Sequence, residues 1–287
     1  MCIRDSPYQT AVIDDVVTVP STGNSVAIHA VYPTAGPEAG PYPVVLMGHG
    51  FQLPPSQYDG YLDRLATHGF VALTVDFVAG FIGVDHPANA EELLYGIDWV
   101  AADPTLGPLS DTNEVGSSGH SLGGKVALLA ATMDARIKAS ITLDPVDGGM
   151  SCNAQTCPDV SALMPIPIPT GFLGETLDAM GGFQACAPAA ENFTTFYANT
   201  SAPSLSVEVL GANHMSFLDD VSSCGFTCGF CNAATLENAT VNALSKAFVV
   251  AFYARHLKGE TGYDTFLTGA EAQARYVDPG LVTIESK

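Results

Sequence analysis

Segments that read as strands and helices alternate along the chain from Ala11 onward, which predicts an α/β fold with a mostly parallel central sheet covered by helices on both faces. Two further observations favour one compact domain over residues 11–287. Hydrophobic residues make up 47% of the 287 and charged residues 14%, enough apolar material for a large core and too little charge for a disordered chain. The alternation is broken by no repeat, low-complexity tract or long linker, and α/β chains of this length often form one unit.

Taken in order, AVIDDVVTV and SVAIHAVYP alternate like half-buried strands, and YPVVLMGHG is a continuous apolar run of the kind buried in a parallel sheet. Pro54 to His68 has helical spacing, with Tyr58, Tyr61, Leu62 and Leu65 on one face and Gly69 as a stop. FVALTVDF is the next strand and AEELLYGIDWVAAD the next helix. Then follow a strand over Asn113 to Gly119, the helix LGGKVALLAATMD, and the strands IKASITLD and IPTGFLGE. A helix around Ala189 to Ala198, the strand SLSVEVLG and an amphipathic helix from Ala239 to Leu257 complete the pattern. In such sheets, sites form at the carboxyl ends of the strands.

The opening MCIRDS has no apolar stretch, fits neither a signal peptide nor the strand after it, and is read with residues 1–10 as a disordered or artefactual leader outside the domain. The formal net charge of −20 repels phosphate backbones and argues against a nucleic-acid partner. No run approaches the roughly 18 to 20 consecutive apolar residues of a membrane-spanning helix, and a monomer is expected. Apart from Cys2, the cysteines are Cys152, Cys157, Cys186, Cys224, Cys228 and Cys231, all in Gly-, Pro-, Asn- and Ser-rich stretches after the midpoint. That suits disulfides in a secreted or periplasmic protein, with 15 possible pairings left open. Asn192, Asn199 and Asn238 head Asn-x-Ser/Thr sequences.

The strongest chemical signal is Gly119-His120-Ser121-Leu122-Gly123, a G-x-S-x-G between a predicted strand and a predicted helix. A strained turn there lifts the Ser121 hydroxyl above the sheet, and the small flanking residues let neighbouring backbone pack closely. Serine is a poor nucleophile at its own pKa, so a base must take its proton and a carboxylate must orient that base. Two histidines follow Ser121: His256, near the end of the last helix, suits a surface or helix-dipole role, whereas His214 in GANHMSF directly follows a strand and is the expected base. His29, His49, His68, His86 and His120 read as packed or turn histidines.

Several carboxylates could serve as the acid. Asp144 closes IKASITLD, Asp147 follows three residues later, and Glu175 closes IPTGFLGE with Asp178 just beyond; by the generic pattern, in which the acid follows the strand nearest the histidine's strand, Glu175 or Asp178 is favoured. The oxyanion needs two backbone N–H donors: Leu122, after the nucleophile, and Phe51 in the Gly48-His49-Gly50-Phe51 loop, with Gln52 second. Cys224-x3-Cys228-x2-Cys231 has an iron–sulfur spacing, but its late position and neighbouring cysteines make disulfides the simpler account. No H-E-x-x-H or His-x3-His pair suggests zinc. Neither a metal nor another cofactor is expected.

PVVLMGHGF, ATHGFVAL, GHSLGGK, LDPVDG, LGE followed by CAP, and GANHMSFLDD with the cysteines after it together resemble the chlorophyllase-like branch of the α/β-hydrolases, related to platelet-activating-factor acetylhydrolases and bacterial polyester hydrolases. The likeness runs from about Val26 to Leu257. It implies the α/β-hydrolase fold, Asp144 as the acid with Glu175 as the alternative, and hydrolysis of bulky or apolar carboxylic esters, small or polymeric, through an acyl-enzyme. Phe51, Leu53, Phe77, Phe81, Ile82 and Met215 are the apolar residues expected around the substrate. A polyester hydrolase, an acyltransferase and a non-catalytic binding module on the same fold are the competing readings.

Overall fold

The computed structural model describes residues 7–80, 84–148, 153–180 and 186–287, with Phe226 and Thr227 described in backbone alone. Cys2, Phe81, Ile82 and Cys152 lie outside the described residues.

The strands β1 (Gln9–Thr18), β2 (Ser25–Ala35), β3 (Tyr42–Gly48), β4 (Val71–Val75), β5 (Ser110–Gly119), β6 (Ile137–Leu143), β7 (Thr170–Glu175), β8 (Ser204–Val209) and β9 (Val282–Ser286) form one sheet. Its order is β1-β2-β4-β3-β5-β6-β7-β8-β9. The run from β4 to β8 is parallel, while β1, β2 and β9 are antiparallel additions at the two edges. The chain has the α/β-hydrolase fold.

Burial follows position. β3, β4 and β7 are buried at every residue because helices cover both their faces. Alternate residues of β3 serve different layers. Val45 and Met47 pack with α1 (Asp59–Ala66) and α5 (Asn238–His256), whereas Val44 and Leu46 pack with α2 (His86–Ala102), α3 (Leu122–Met133) and α4 (Phe193–Ala198). Among the described residues no helix is long and apolar enough to cross a membrane.

Several boundaries differ from expectation for local reasons. β1 begins at Gln9 and Tyr8 is buried, so residues 8–10 pack with the fold instead of belonging to a leader. The helix expected from Pro54 is two pieces: a 3-10 turn over Pro55–Tyr58 entered from an extended Pro54, then α1. Gly69 stops it with φ +81°. α2 starts four residues before Ala90, where Asp85 caps it by accepting the Ala88 N–H and Pro87 occupies the first turn. α4 is shorter than expected because Asn192 caps Phe193 onward. Asn192 is buried and its amide donates to the Ala187 carbonyl, closing that glycosylation sequence. β9 went unrecognised: only Val282 of its five residues is buried, so it carries little apolar signal.

The cysteines join loops on the β7–β8 side. Cys186–Cys231 and Cys224–Cys228 are disulfides, and Cys157 is disulfide-bonded as well. The three thiols of the iron–sulfur-like spacing are thereby taken up.

Candidate active site

Three glycines build the turn that carries Ser121. A Cβ on Gly119 would lie 2.3 Å from the Gly123 carbonyl group, and one on Gly123 would lie 2.2 Å from the oxygen of Gly48. Strand β3, strand β5 and helix α3 can meet this closely only without side chains. Ser121 then takes φ 55° and ψ −120° between β5 and α3. Its N–H donates to the Leu143 carbonyl at 3.0 Å and its own carbonyl accepts from Val146 at 3.3 Å, fastening the turn to the end of β6.

The non-glycine residues with left-handed φ, among those described, are Gln52 (56°), Ser121 (55°) and Asp144 (42°). They occupy the loop after β3, the turn between β5 and α3, and the strand end after β6. Each such residue costs about 1–3 kcal/mol and persists where surrounding structure over-determines it, typically at functional sites. Asp144 is held by its N–H to the Leu173 carbonyl at 2.6 Å, and Gly124 makes room for the following Pro145, against which a Cβ would stand at 2.9 Å.

The side chains of these elements meet. His214 Nε2 lies 2.8 Å from Ser121 Oγ, and His214 Nδ1 lies 2.6 Å from Asp144 Oδ2. The Asp144 carboxyl is fully buried; burial pushes its pKa up and the hydrogen bond from His214 pulls it back down. Glu175, the alternative acid, is also buried but makes no bond to His214: its Oε2 accepts the N–H groups of Leu177 and Asp178. Asp178 holds the base through the backbone, accepting the His214 N–H at 2.9 Å on Oδ2 while Oδ1 accepts two N–H groups of Asn232.

His120, expected to be a packed histidine, is packed and also bonded into the site. Its Nε2 lies 2.8 Å from the His214 carbonyl oxygen, which can only accept, so Nε2 carries the hydrogen and Nδ1 accepts the Tyr58 hydroxyl at 2.9 Å. Tyr58 in turn accepts the Gly50 N–H at 3.1 Å. This chain ties the loop after β3 to the His214 loop through the residue before Ser121. Burial and the neighbouring His214 hold the His120 pKa well below its usual value, so it stays neutral. The Gly50 N–H is taken up within the loop after β3. Leu122 is the first residue of α3, where a helix leaves its N–H groups without intrahelical acceptors.

Lys125 carries no signal in the sequence, since a helix lysine ordinarily faces water. Here it is fully buried, its Nζ 3.0 Å from Asp147 Oδ1 and 2.5 Å from the Asp147 carbonyl oxygen. Asp147 also accepts the N–H groups of Val160 and Ser161. The pair thus pins the loop after Asp144 to the nucleophile helix. Removing one partner of a buried pair strands the other charge, so Lys125→Ala is expected to cost about 3–5 kcal/mol of stability in urea unfolding; a loss under 1 kcal/mol would refute that role.

The apolar residues expected around the substrate divide. Leu53, Phe77 and Met215 are 4, 1 and 8% exposed and pack in the core, whereas Phe51 is half-buried. Phe77 stacks on His49 at 4.1 Å. His256 also departs from expectation: it packs on Phe252, and burial lowers its pKa to about 4, so it carries no charge for the helix dipole at neutral pH. A groove of about 540 Å³ lined by Asp14, His29, Pro55 and Asp76 contains none of the residues gathered around Ser121.

Fold and relatives together define an α/β-hydrolase of the carboxylic ester hydrolase class. The sequence model of the family described as Chlorophyllase matches residues 7–274, and the chain belongs to that family. It is 28% identical to Chlorophyllase-1 of Arabidopsis thaliana over 271 residues, covering 86% of this chain and 81% of the relative. Chlorophyllase-2 of the same plant is 30% identical over 204 residues, with 64% of this chain and 63% of the relative covered, under two thirds of its length. Cutinase 1 of Thermobifida cellulosilytica is 29% identical over 160 residues, with 54% and 53% covered.

Proposed function

We propose that the protein is a serine esterase in which Ser121 is the nucleophile, His214 the base and Asp144 the acid, acting on carboxylic esters with a bulky apolar group. The observation that carries this reading is the unbroken chain from Ser121 Oγ through both ring nitrogens of His214 to Asp144 Oδ2. His214 takes the hydroxyl proton as Ser121 attacks the carbonyl, and the backbone N–H groups of Leu122 and Phe51 receive the developing oxyanion. His214 then protonates the departing alkoxide, and water activated by the same imidazole releases the acyl group. Asp144, held at an enforced backbone angle, keeps the ring in the tautomer with hydrogen on Nδ1.

The apolar substrate class is supported by the names of the relatives, among them chlorophyllases and cutinases, and by the half-buried Phe51. Polyester is the less favoured substrate, because the family match is to chlorophyllases and the cutinase likeness covers about half of this chain. The disulfides support export to an oxidising compartment, and the net charge of −20 argues against nucleic acid as a partner.

Hydrolysis of p-nitrophenyl esters from acetate to palmitate, with chlorophyll assayed beside them, tests the substrate class. Cleavage whose kcat/KM rises with acyl length, or which extends to chlorophyll, is expected. Activity restricted to acetate would refute the apolar class.

A further inference from the structure

Three carboxyl groups, Asp144, Glu175 and Asp178, are completely buried at the carboxyl ends of the adjacent strands β6 and β7. Three anions in one dry site would face one imidazole, and like charges at short range do not all ionise. Hydrogen bonding separates their roles. Asp178 accepts three N–H groups, from His214 and Asn232, on its two oxygens. Asp144 uses Oδ2 for His214, and Glu175 uses Oε2 for Leu177 and Asp178. One oxygen of each of the latter pair, Asp144 Oδ1 and Glu175 Oε1, is buried with no hydrogen-bond partner.

Two orphaned buried acceptors are costly, and a proton on one would turn it from an acceptor into a donor that the other, at the neighbouring strand end, could accept. Glu175 is the residue able to carry it, since Asp144 must stay ionised to hold the imidazolium. We propose that Glu175 is held as a neutral carboxylic acid whose Oε1–H is directed to Oδ1 of Asp144, making it a positioning residue for the candidate acid. This rests on the serine-esterase reading for its consequence, but not for its protonation state.

The surroundings agree. Burial first, and the charge of Asp144 second, push the Glu175 pKa up to about 8, with Asp178 adding to it and the two backbone N–H groups opposing. Asp144 and Asp178 are the charged groups acting on Glu175, and His214 acts in turn on Asp144. Glutamine reproduces the neutral acid: its oxygen accepts from Leu177 and Asp178 while its NH₂ donates to Asp144. Leucine can do neither.

Ester hydrolysis is measured against pH for wild type, Glu175→Gln and Glu175→Leu, alongside unfolding of the same proteins by urea. Glu175→Gln is expected to stay within about threefold of wild type at pH 7, and Glu175→Leu to fall at least tenfold. The wild type is expected to lose activity through a limb near pH 8 that is absent from the glutamine variant. The unfolding arm is independent of catalysis. Between the ordinary value of 4.5 and about 8 the folded state holds a proton that the unfolded state releases. Stability is therefore lost as pH rises across that window, and wild type should weaken relative to Glu175→Gln. A hundredfold loss of activity in Glu175→Gln, or parallel stability curves for wild type and Glu175→Gln from pH 4.5 to 8, would overturn the proposal. If Ser121→Ala retains activity, the esterase reading fails, and the unfolding curves alone still decide whether Glu175 is protonated.

Discussion

Ser121→Ala is expected to lower kcat/KM on p-nitrophenyl esters by about 10⁴- to 10⁶-fold, leaving a folded protein. The size follows from the chemistry: without a nucleophile there is no acyl-enzyme, and what remains is whatever the backbone N–H donors and binding supply to attack by water. The fold should survive because the turn is held by backbone contacts, namely the three glycines and the bonds to Leu143 and Val146, not by the hydroxyl. Ser121→Gly separates the two effects. It removes the hydroxyl and also the penalty of a left-handed φ of 55°, so it should be equally inactive and more stable by about 1–3 kcal/mol. A glycine variant with unchanged stability would show that the turn stores no strain.

Asp144→Asn is expected to cost about 10⁴-fold in kcat, with KM little changed. The asparagine fits the same space but can present its NH₂ to His214 Nδ1, which stabilises the tautomer with hydrogen on Nε2 facing Ser121. That ring cannot accept the serine proton. The enforced φ of 42° at residue 144 should remain, as asparagine tolerates it well, so the loss appears in activity and not in folding. If Asp144→Asn keeps more than a tenth of activity while Asp178→Asn falls by orders of magnitude, the acid has been misassigned.

Much of this was legible in the sequence, and the exceptions have physical causes. The meeting of Ser121 with His214 was foreseeable because their positions depend on local order: a serine between strand and helix, and a histidine directly after a strand. The carboxylate that meets His214 was not readable from pattern alone, which pointed to Glu175 or Asp178, because Asp144, Asp147, Glu175 and Asp178 all lie at or just beyond strand ends. Which of them reaches the imidazole depends on a backbone angle at Asp144 and on the register of β6 with β7. Lys125 and Tyr58 stayed hidden for a related reason. Their partners, Asp147 and His120, are 22 and 62 residues away, beyond the reach of any helical or strand period. Hydrophobic positions flanking a site pack as readily into the core, and Leu53, Phe77 and Met215 are buried there. Strand β9 was missed because an edge strand with one buried residue reads as a polar tail.

The central claim is that His214 and Asp144 activate Ser121 as a nucleophile. A fluorophosphonate probe tests it most directly, since it forms a covalent bond to an activated serine oxygen, and peptide mapping by mass spectrometry shows where. About one equivalent of label per chain is expected, located on Ser121, lost in Ser121→Ala and greatly slowed in Asp144→Asn. Folded wild-type protein that takes up no label, or takes it up at another residue, would contradict it.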